Sequence, residues 1–282
     1  MISVKNVSFT YPKSKSRAVS DLSFHIPRGH IFGLLGPSGA GKSTIQKLVT
    51  GLLSSYDGEI YINGQEIKRA RKDFYYKLGV AFDTPVFYEK MTALENLQFF
   101  YSLYPQNQRR PIEWLERLGL AEAAHLPVGR FSKGMKMRLN FCRALLHEPE
   151  VLILDEPTSG LDPSWSHIVK KIIKEEQARG VTILMSTHHM ETAKNLCDQI
   201  AFIVDGRISV IDSPHQLQLN YGRKMILFSF RNRENLALSF DEAGQHPQLL
   251  EWLKNGEVET IHSQEATLDE VFMQVTGRRL AE

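Results

Sequence analysis

Two kinds of apolar pattern run along this chain. The first is a set of short continuous runs: IFGLL at 31–35, VLIL at 151–154, VTILM at 181–185 and IAFIV at 200–204, each bounded by Gly, Asp or Ser. Four or five apolar residues without polar alternation are what a strand buried on both faces requires. Helical patterns separate these runs: Ile45–Leu53 follows the first, Trp165–Ala178 the second and Met190–Cys197 the third. Strand and helix in alternation predict an α/β fold with a mostly parallel sheet flanked by helices.

The second pattern is alternation. ISVKNVSFTY and AVSDLSFHI, both within residues 1–27, place apolar and polar side chains in turn. They predict an N-terminal antiparallel β subdomain with one solvated face. Residues 86–147 are helix-rich and carry a dense aromatic patch (Phe87, Tyr88, Phe99, Phe100, Tyr101, Tyr104), so they predict an inserted helical subdomain. Beyond about Leu219 the composition shifts. KMILFSF, NLALSF and EVETIH predict strands, and HPQLLEWLKNG a short helix. ATLDEVFMQVTG carries Thr267 and Glu270 as a capping box and Gly277 as a stop. The expected organisation is a large domain over 1–218 and a small α+β appendage over 219–282.

Composition narrows the classes of partner. Thirty-four Lys and Arg against 32 Asp and Glu leave a formal charge of only +2, well short of the basic excess that grips a nucleic-acid backbone. None of the apolar runs approaches the roughly 18–20 residues of a spanning helix, and MISVKNVSFTY does not read as a secretory leader. Cys142 and Cys197 lie in apolar helical contexts outside any ligand spacing, as buried reduced thiols would.

The stretch Gly36-Pro37-Ser38-Gly39-Ala40-Gly41-Lys42-Ser43-Thr44 follows a predicted strand and opens a predicted helix over 42–53. It fits G-x-x-x-x-G-K-[ST] in full. The glycines allow a tight turn in which several backbone N–H groups converge on phosphate oxygens, and the helix N-terminus adds partial positive charge. Lys42 is placed to reach the β- and γ-phosphates, and the Ser43 hydroxyl to bind Mg²⁺. The loop alone leaves open whether phosphate is transferred, as in a kinase, or hydrolysed. Downstream, VLIL ends in Asp155 and Glu156. Carboxylates at the C-terminal end of a strand face the ligand crevice of an open α/β sheet. Asp155 suits Mg²⁺ held through water, and Glu156 suits orienting and deprotonating an attacking water. His188 follows the strand end at Ser186-Thr187, within reach of a γ-phosphate. Ser132 reads as the N-cap of a long amphipathic helix, a role that structure alone would explain.

Taken together, these motifs resemble the ATP-binding subunit of ABC transporters, over roughly residues 1–215. Gly36–Thr44 looks like the Walker A loop, Leu152–Glu156 like Walker B with its catalytic glutamate, Ser159–Asp162 like the D-loop and His188 like the switch histidine. Tyr11, in FTYP, matches the aromatic residue that stacks on adenine. The resemblance implies a P-loop NTPase sheet, ATP and Mg²⁺ as ligands, and two ATPase subunits, identical or different, closing head to tail. Ser132 and Gly134 of one would then bind the γ-phosphate held by the other. It further implies an integral membrane subunit as partner, seated in a groove at the aromatic patch, and residence at the cytoplasmic face of the cell membrane.

Two motifs depart from the family pattern. The signature, usually Ser-Gly-Gly-Gln, reads Ser132-Lys133-Gly134-Met135, and the Q-loop glutamine is replaced by Asp83. Asp83 is either a turn former or a ligand for Mg²⁺. Acidic residues there, lysine in the signature and the C-terminal ATLDEVFMQVTG resemble the branch that exports drugs, peptides or lipids through a separate membrane chain. The competing expectation is a soluble ABC-type ATPase acting on ribosomes or DNA. One P-loop, no heptad tract and the balanced charge weigh against it.

Overall fold

The computed structural model describes residues 1–104, 110–222, 225–264 and 266–279, with residue 264 described by its backbone only. Residues 105–109 of the expected helical subdomain and Lys224, which opens the expected strand KMILFSF, lie outside the described residues. The chain divides into two compact units, Met1–Ile211 and Asp212–Glu282.

In the first unit the elements run β1 (Ile2–Phe9), β2 (Val19–Ile26), β3 (Ile31–Leu35), α1 (Lys42–Val49), β4 (Asp57–Ile62), β5 (Gln65–Glu66), α2 (Lys72–Tyr75) and β6 (Leu78–Ala81). They continue with α3 (Ala93–Tyr101), α4 (Pro111–Arg117), α5 (Lys133–Leu145), β7 (Val151–Asp155), α6 (Pro163–Ala178), β8 (Thr182–Thr187), α7 (Met190–Leu196), β9 (Gln199–Val204) and β10 (Arg207–Asp212). The central sheet has the order β10-β9-β3-β8-β7-β6, and β9, β3, β8, β7 and β6 pair in parallel. Every residue of β3, β7 and β8 is buried, as their unbroken apolar runs require.

The antiparallel sheet has the order β2-β1-β4-β5. β2 alternates buried and exposed side chains from Leu22 to Ile26, as expected. β4 and β5 were not legible in the alternation, because β4 buries only Ile60 and Ile62 fully. Its apolar face and that of the central sheet share one core that includes Ile2, Leu22, Ile26, Leu34, Ile45 and Ile153. α1 ends at Val49 rather than at 53, because Thr50 closes the helix and Gly51 turns out of it at φ +74°. In the helical subdomain Thr92 and Glu95 form a complete capping box on α3, and Trp114 of α4 is buried.

The second unit holds α8 (Pro214–Tyr221), β11 (Met225–Phe230), β12 (Leu236–Ser239), α9 (Phe240–Gln245), α10 (Leu249–Lys254), β13 (Val258–Gln264) and α11 (Leu268–Thr276). Its sheet, β12-β11-β13, is antiparallel throughout. Phe228, Phe230 and Ala243 form its core, with Trp252 and Leu249 packed against them. Thr267 and Glu270 cap α11 reciprocally, and Gly277 ends it in the left-handed conformation. The division falls before α8, whereas the sequence suggests 218/219, a point inside that helix. α8 goes with the small unit because it packs on α11 and Gln218 donates to the Ala266 carbonyl. The strand expected over NLALSF stops at Ser239, which instead caps α9 in a second capping box with Glu242.

Both cysteines are free and buried. Burial pushes the Cys197 thiol up to about 12 and raises Cys142 as well. A raised thiol pKa keeps the unreactive protonated form at pH 8. The native chain should therefore resist an aromatic disulfide reagent at pH 8, and both thiols should react in denaturant. Stoichiometric labelling without denaturant would contradict the burial.

Candidate functional site

The register of the parallel strands assembles the site. Leu34 of β3 and Asp155 of β7 both pair with Ser186 of β8, so the three strand ends lie at one level. Adjacent strands are about 4.8 Å apart, so the loops that leave them open side by side. These loops carry residues 36–44, Glu156 and His188.

The 36–44 turn needs glycine for two different reasons. At Gly36 the reason is proximity, since a methyl group there would lie 2.2 Å from the Ile203 carbonyl oxygen. At Gly41, which caps α1 without a side chain, the backbone stands at φ +106°. The adjacent turn braces the loop through the Gly206 N–H, which donates to the Ala40 carbonyl at 3.0 Å. Lys42 folds back along the loop, and its Nζ donates to the Gly36 and Pro37 carbonyls at 2.6 and 2.9 Å. Burial pulls its ammonium below the ordinary lysine value, while the charges of Glu156 and Asp155 oppose the shift. That opposition places both carboxylates in the field of the lysine. The Thr44 hydroxyl lies 3.1 Å from the Tyr11 hydroxyl. Tyr11 is 36% exposed and meets Phe9 edge to face, so its ring is held beside the loop yet reachable.

Asp155 is buried and accepts a hydrogen bond from the Ser186 hydroxyl. Glu156 leaves the strand at φ +50°, with its N–H on the Ser186 carbonyl. Its Oε1 accepts from His188 Nδ1 at 2.8 Å, and its Oε2 is buried without a hydrogen-bond partner among the described residues. A carboxylate with one oxygen anchored and one unsatisfied is built to accept a proton or a water. The φ value is uncommon for a glutamate, and such strain clusters at functional sites.

Ser132, Gly134 and the D-loop residues form a second cluster. Ser132 caps α5, its Oγ accepting from the Met135 N–H at 3.2 Å. A methyl group on Gly134 would sit 3.3 Å from the Gly160 carbonyl, and the Lys133 stem runs along Gly160. Asp83 lies in the loop beyond β6, exposed, and accepts the Thr84 hydroxyl at 3.2 Å. The aromatic patch splits in two. Tyr88 and Phe99, 52% and 40% exposed, pack edge to face at the surface. Tyr104 stacks flat on His147 at 3.9 Å, and burial pushes that imidazole down to about 4. Tyr101 is half-buried.

Sequence reasoning missed Gln46. It is fully buried on α1 and donates to the Leu154 carbonyl at 2.8 Å, tying the helix of the phosphate loop to β7. A polar residue on a buried helix face gives no periodic signal, so only the contact reveals it.

A full phosphate loop at the N-terminus of α1, with paired carboxylates and a histidine on the neighbouring strand ends, defines a P-loop nucleoside triphosphatase. The chain belongs to the ABC transporter family, whose model, described as ABC transporter, matches residues 19–159. It is 47% identical over 284 residues to a fluoroquinolones export ATP-binding protein of Mycobacterium tuberculosis, covering 99% of this chain and 94% of that protein. It is 31% identical over 311 residues to the linearmycin resistance ATP-binding protein of Bacillus subtilis, covering 99% of each. Among solved structures, an ATP-binding subunit of an ABC transporter aligns with TM-score 0.72 and 30% identity over 78% of this chain and 93% of that one. A dimeric ATP-binding cassette in a post-hydrolysis state, bound to ADP and phosphate, aligns with TM-score 0.70 and 25% identity over 76% and 98%. The chain is thus an ATP-binding, ATP-hydrolysing subunit of the ABC class.

Gly36→Ala should cost about 1–3 kcal/mol, because the methyl group meets backbone that cannot turn aside. It should also abolish ATP binding by distorting the loop. Denaturant titration together with binding of a fluorescent ATP analogue checks both, and a stable variant with unchanged affinity would refute the close approach.

Proposed function

We propose that this chain is the ATPase subunit of an exporter whose membrane-spanning part is a separate chain, and that two ATPase subunits close head to tail around ATP. The observation that carries the chemistry is Glu156, with Oε1 on His188 and Oε2 buried and unpartnered. It stands beside Asp155 and within the field of Lys42. Lys42 would exchange the Gly36 and Pro37 carbonyls for β- and γ-phosphate oxygens, while the 36–44 N–H groups and the α1 N-terminus cradle the anion. Tyr11 would offer its ring to the adenine. Glu156, held in place by His188, would take the proton of the attacking water, and His188 would reach the γ-phosphate. Ser132 and Gly134 would bind the γ-phosphate of the second subunit.

The residues present fit Mg²⁺. Among the described residues there is no cluster of three or more Asp, Glu, His or Cys, but Mg²⁺ on a nucleotide takes most of its ligands from phosphate and water. The Ser43 hydroxyl and the Asp155 carboxylate would hold it, with Asp155 fixed by Ser186. Bound there, the ion would neutralise charge on the transferring phosphoryl group. Asp83, exposed in the loop beyond β6, is the further candidate ligand.

Export is supported by relatives covered over 94% and 99% of their length, one named for fluoroquinolones export and the other for linearmycin resistance. A membrane partner is supported by the exposed pair Tyr88 and Phe99, with Val86 and Leu103 in the same subdomain also exposed, each at least 40%. Among the described residues no helix is long and apolar enough to cross a membrane. The place of work would be the cytoplasmic face of the membrane, reached through that partner.

Glu156→Gln should lower kcat for Mg²⁺–ATP by about 10²–10⁴-fold while ATP still binds. Turnover equal to the unmodified chain would remove Glu156 from the reaction. A tagged chain drawn from detergent-solubilised native membranes should bring a multi-spanning protein with it. Tyr88→Ser with Phe99→Ser should lose that protein, at a cost of about 2 kcal/mol or more in binding, while keeping its fold and its ATP affinity. Capture of ribosomal proteins alone would favour the soluble class of ABC ATPase instead.

A further inference from the structure

Three helices of the first unit meet far from one another in sequence. α4 ends at Leu118 and Gly119, α5 starts at the Ser132 cap, and α6 starts at the Asp162 cap. Trp165 lies at their junction. Its six-membered ring rests on the backbone of Gly119, where an added methyl group would lie 1.9 Å from Cη2 and 2.3 Å from Cζ2. Gly119 also stands at φ +62°, so the seat demands glycine by space and by backbone alike.

Arg138 of α5 closes over the other side of this contact. Its Cζ lies 4.1 Å from the Trp165 ring, and its Nη1 donates to the Leu118 and Gly119 carbonyls at 2.6 and 3.2 Å. A guanidinium stacked on an indole that also satisfies the last carbonyls of a helix fixes three groups at once. The backbone N–H of Trp165 donates to Asp162 Oδ1 at 3.1 Å, the capping bond that starts α6 and fixes the backbone from which the ring projects. Arg117 and Glu175 form a second tie between α4 and α6.

The helix starts joined in this way carry the second cluster of the site. Ser132 and Gly134 lie at the start of α5, and residues 159–162 lead into α6. The two touch where Gly134 meets the Gly160 carbonyl and Lys133 lies along Gly160. Each of these contacts is small. The Arg138 and Trp165 stack on Gly119 adds a contact between the two helices beyond those the loops make directly.

We propose that Arg138 and Trp165 form a latch that makes the Ser132–Gly134 turn and the 159–162 loop one rigid element, presented as a unit to the ATP of the second subunit. Both are positioning residues, since their contacts are with each other and with Leu118 and Gly119. The inference rests on the head-to-tail reading given above. It goes further in naming what keeps the two facing loops in register.

The test uses the full chain carrying Glu156→Gln, so that ATP is bound but not consumed. Dimerisation is read by analytical ultracentrifugation with and without ATP, and nucleotide affinity by a fluorescent ATP analogue. Trp165→Leu and Arg138→Met should each weaken ATP-driven dimerisation by about tenfold or more, within the coupling range of contacting residues. ATP affinity of the monomer should stay within about twofold, since the phosphate loop lies on another strand end. Trp165→Phe keeps a flat ring under the guanidinium and should restore most of the loss. The double variant should be no weaker than the worse single one. Dimerisation of Arg138→Met equal to that of its parent would overturn the latch, as would loss of nucleotide affinity in step with loss of dimerisation. If the parent itself does not dimerise with ATP, the head-to-tail reading fails first and the latch falls with it. Should Trp165→Leu not fold, Arg138→Met and Trp165→Phe carry the same decision.

Discussion

The constraint on which the site depends is the parallel register of β3, β8 and β7. Three neighbouring strands, buried on both faces, can end only where their backbone leaves the core, and in parallel they all end at the same edge. Leu34, Ser186 and Asp155 share one level of the ladder. The phosphate loop, the histidine turn and the carboxylate pair then emerge within two strand spacings, about 10 Å. No side-chain contact has to bring them together. Contacts only tune them: Ser186 on Asp155, His188 on Glu156, Gln46 on the carbonyl before Asp155. The polar tail of β8 is tolerated because the buried Ser186 and Thr187 hydroxyls are both hydrogen-bonded.

The parts of the molecule that were legible in the sequence are those in which one physical rule acts alone. Strands buried on both faces give unbroken apolar runs, so β3, β7, β8 and β9 could be read directly. The phosphate loop could be read because close approach and positive φ force glycine at fixed spacing. Reading failed where two rules overlapped. In NLALSF the alternation of a strand hides the capping box formed by Ser239 and Glu242, and the helix start prevails. At β4 a mostly solvated strand buries too few residues to display its period. Gln46, Arg138 and Trp165 were invisible for a different reason. Each works by a contact across sequence distance, and a polar or amphipathic side chain on a helix carries no sign of what it will touch.

The altered signature can be understood from its backbone. Ser132 supplies its hydroxyl to the Met135 N–H, as any good N-cap would, and the side chain at 135 has no part in that bond. Gly134 keeps its role by lying against the Gly160 carbonyl, where a larger residue would push the loop away. Lys133 replaces a glycine but runs outward along Gly160. It adds charge at the cluster without closing the helix N-terminus. Loss of glutamine therefore changes one polar side chain and leaves in place the backbone and cap that, on the proposed reading, would bind the anion.

α5 joins the two functional surfaces. Its thirteen residues span about 20 Å. At one end stands the Ser132 cap, and in the middle Arg138 grips the end of α4 and the Trp165 ring. At the other end Asn140 donates to the Phe82 carbonyl and Arg143 to the Val86 carbonyl, while Arg143 also accepts Phe87 and Phe100 against its guanidinium. Phe82 and Val86 flank Asp83, so one helix holds both sides of the loop that carries it. The same arginine lies under the aromatic patch whose outer members are Tyr88 and Phe99. A rigid helix cannot shift at one end and stay put at the other. On the proposed head-to-tail reading, a movement that ATP imposed on the Ser132 turn would therefore reach the 82–86 loop and the exposed aromatic surface, by packing and hydrogen bonds already present in the single chain.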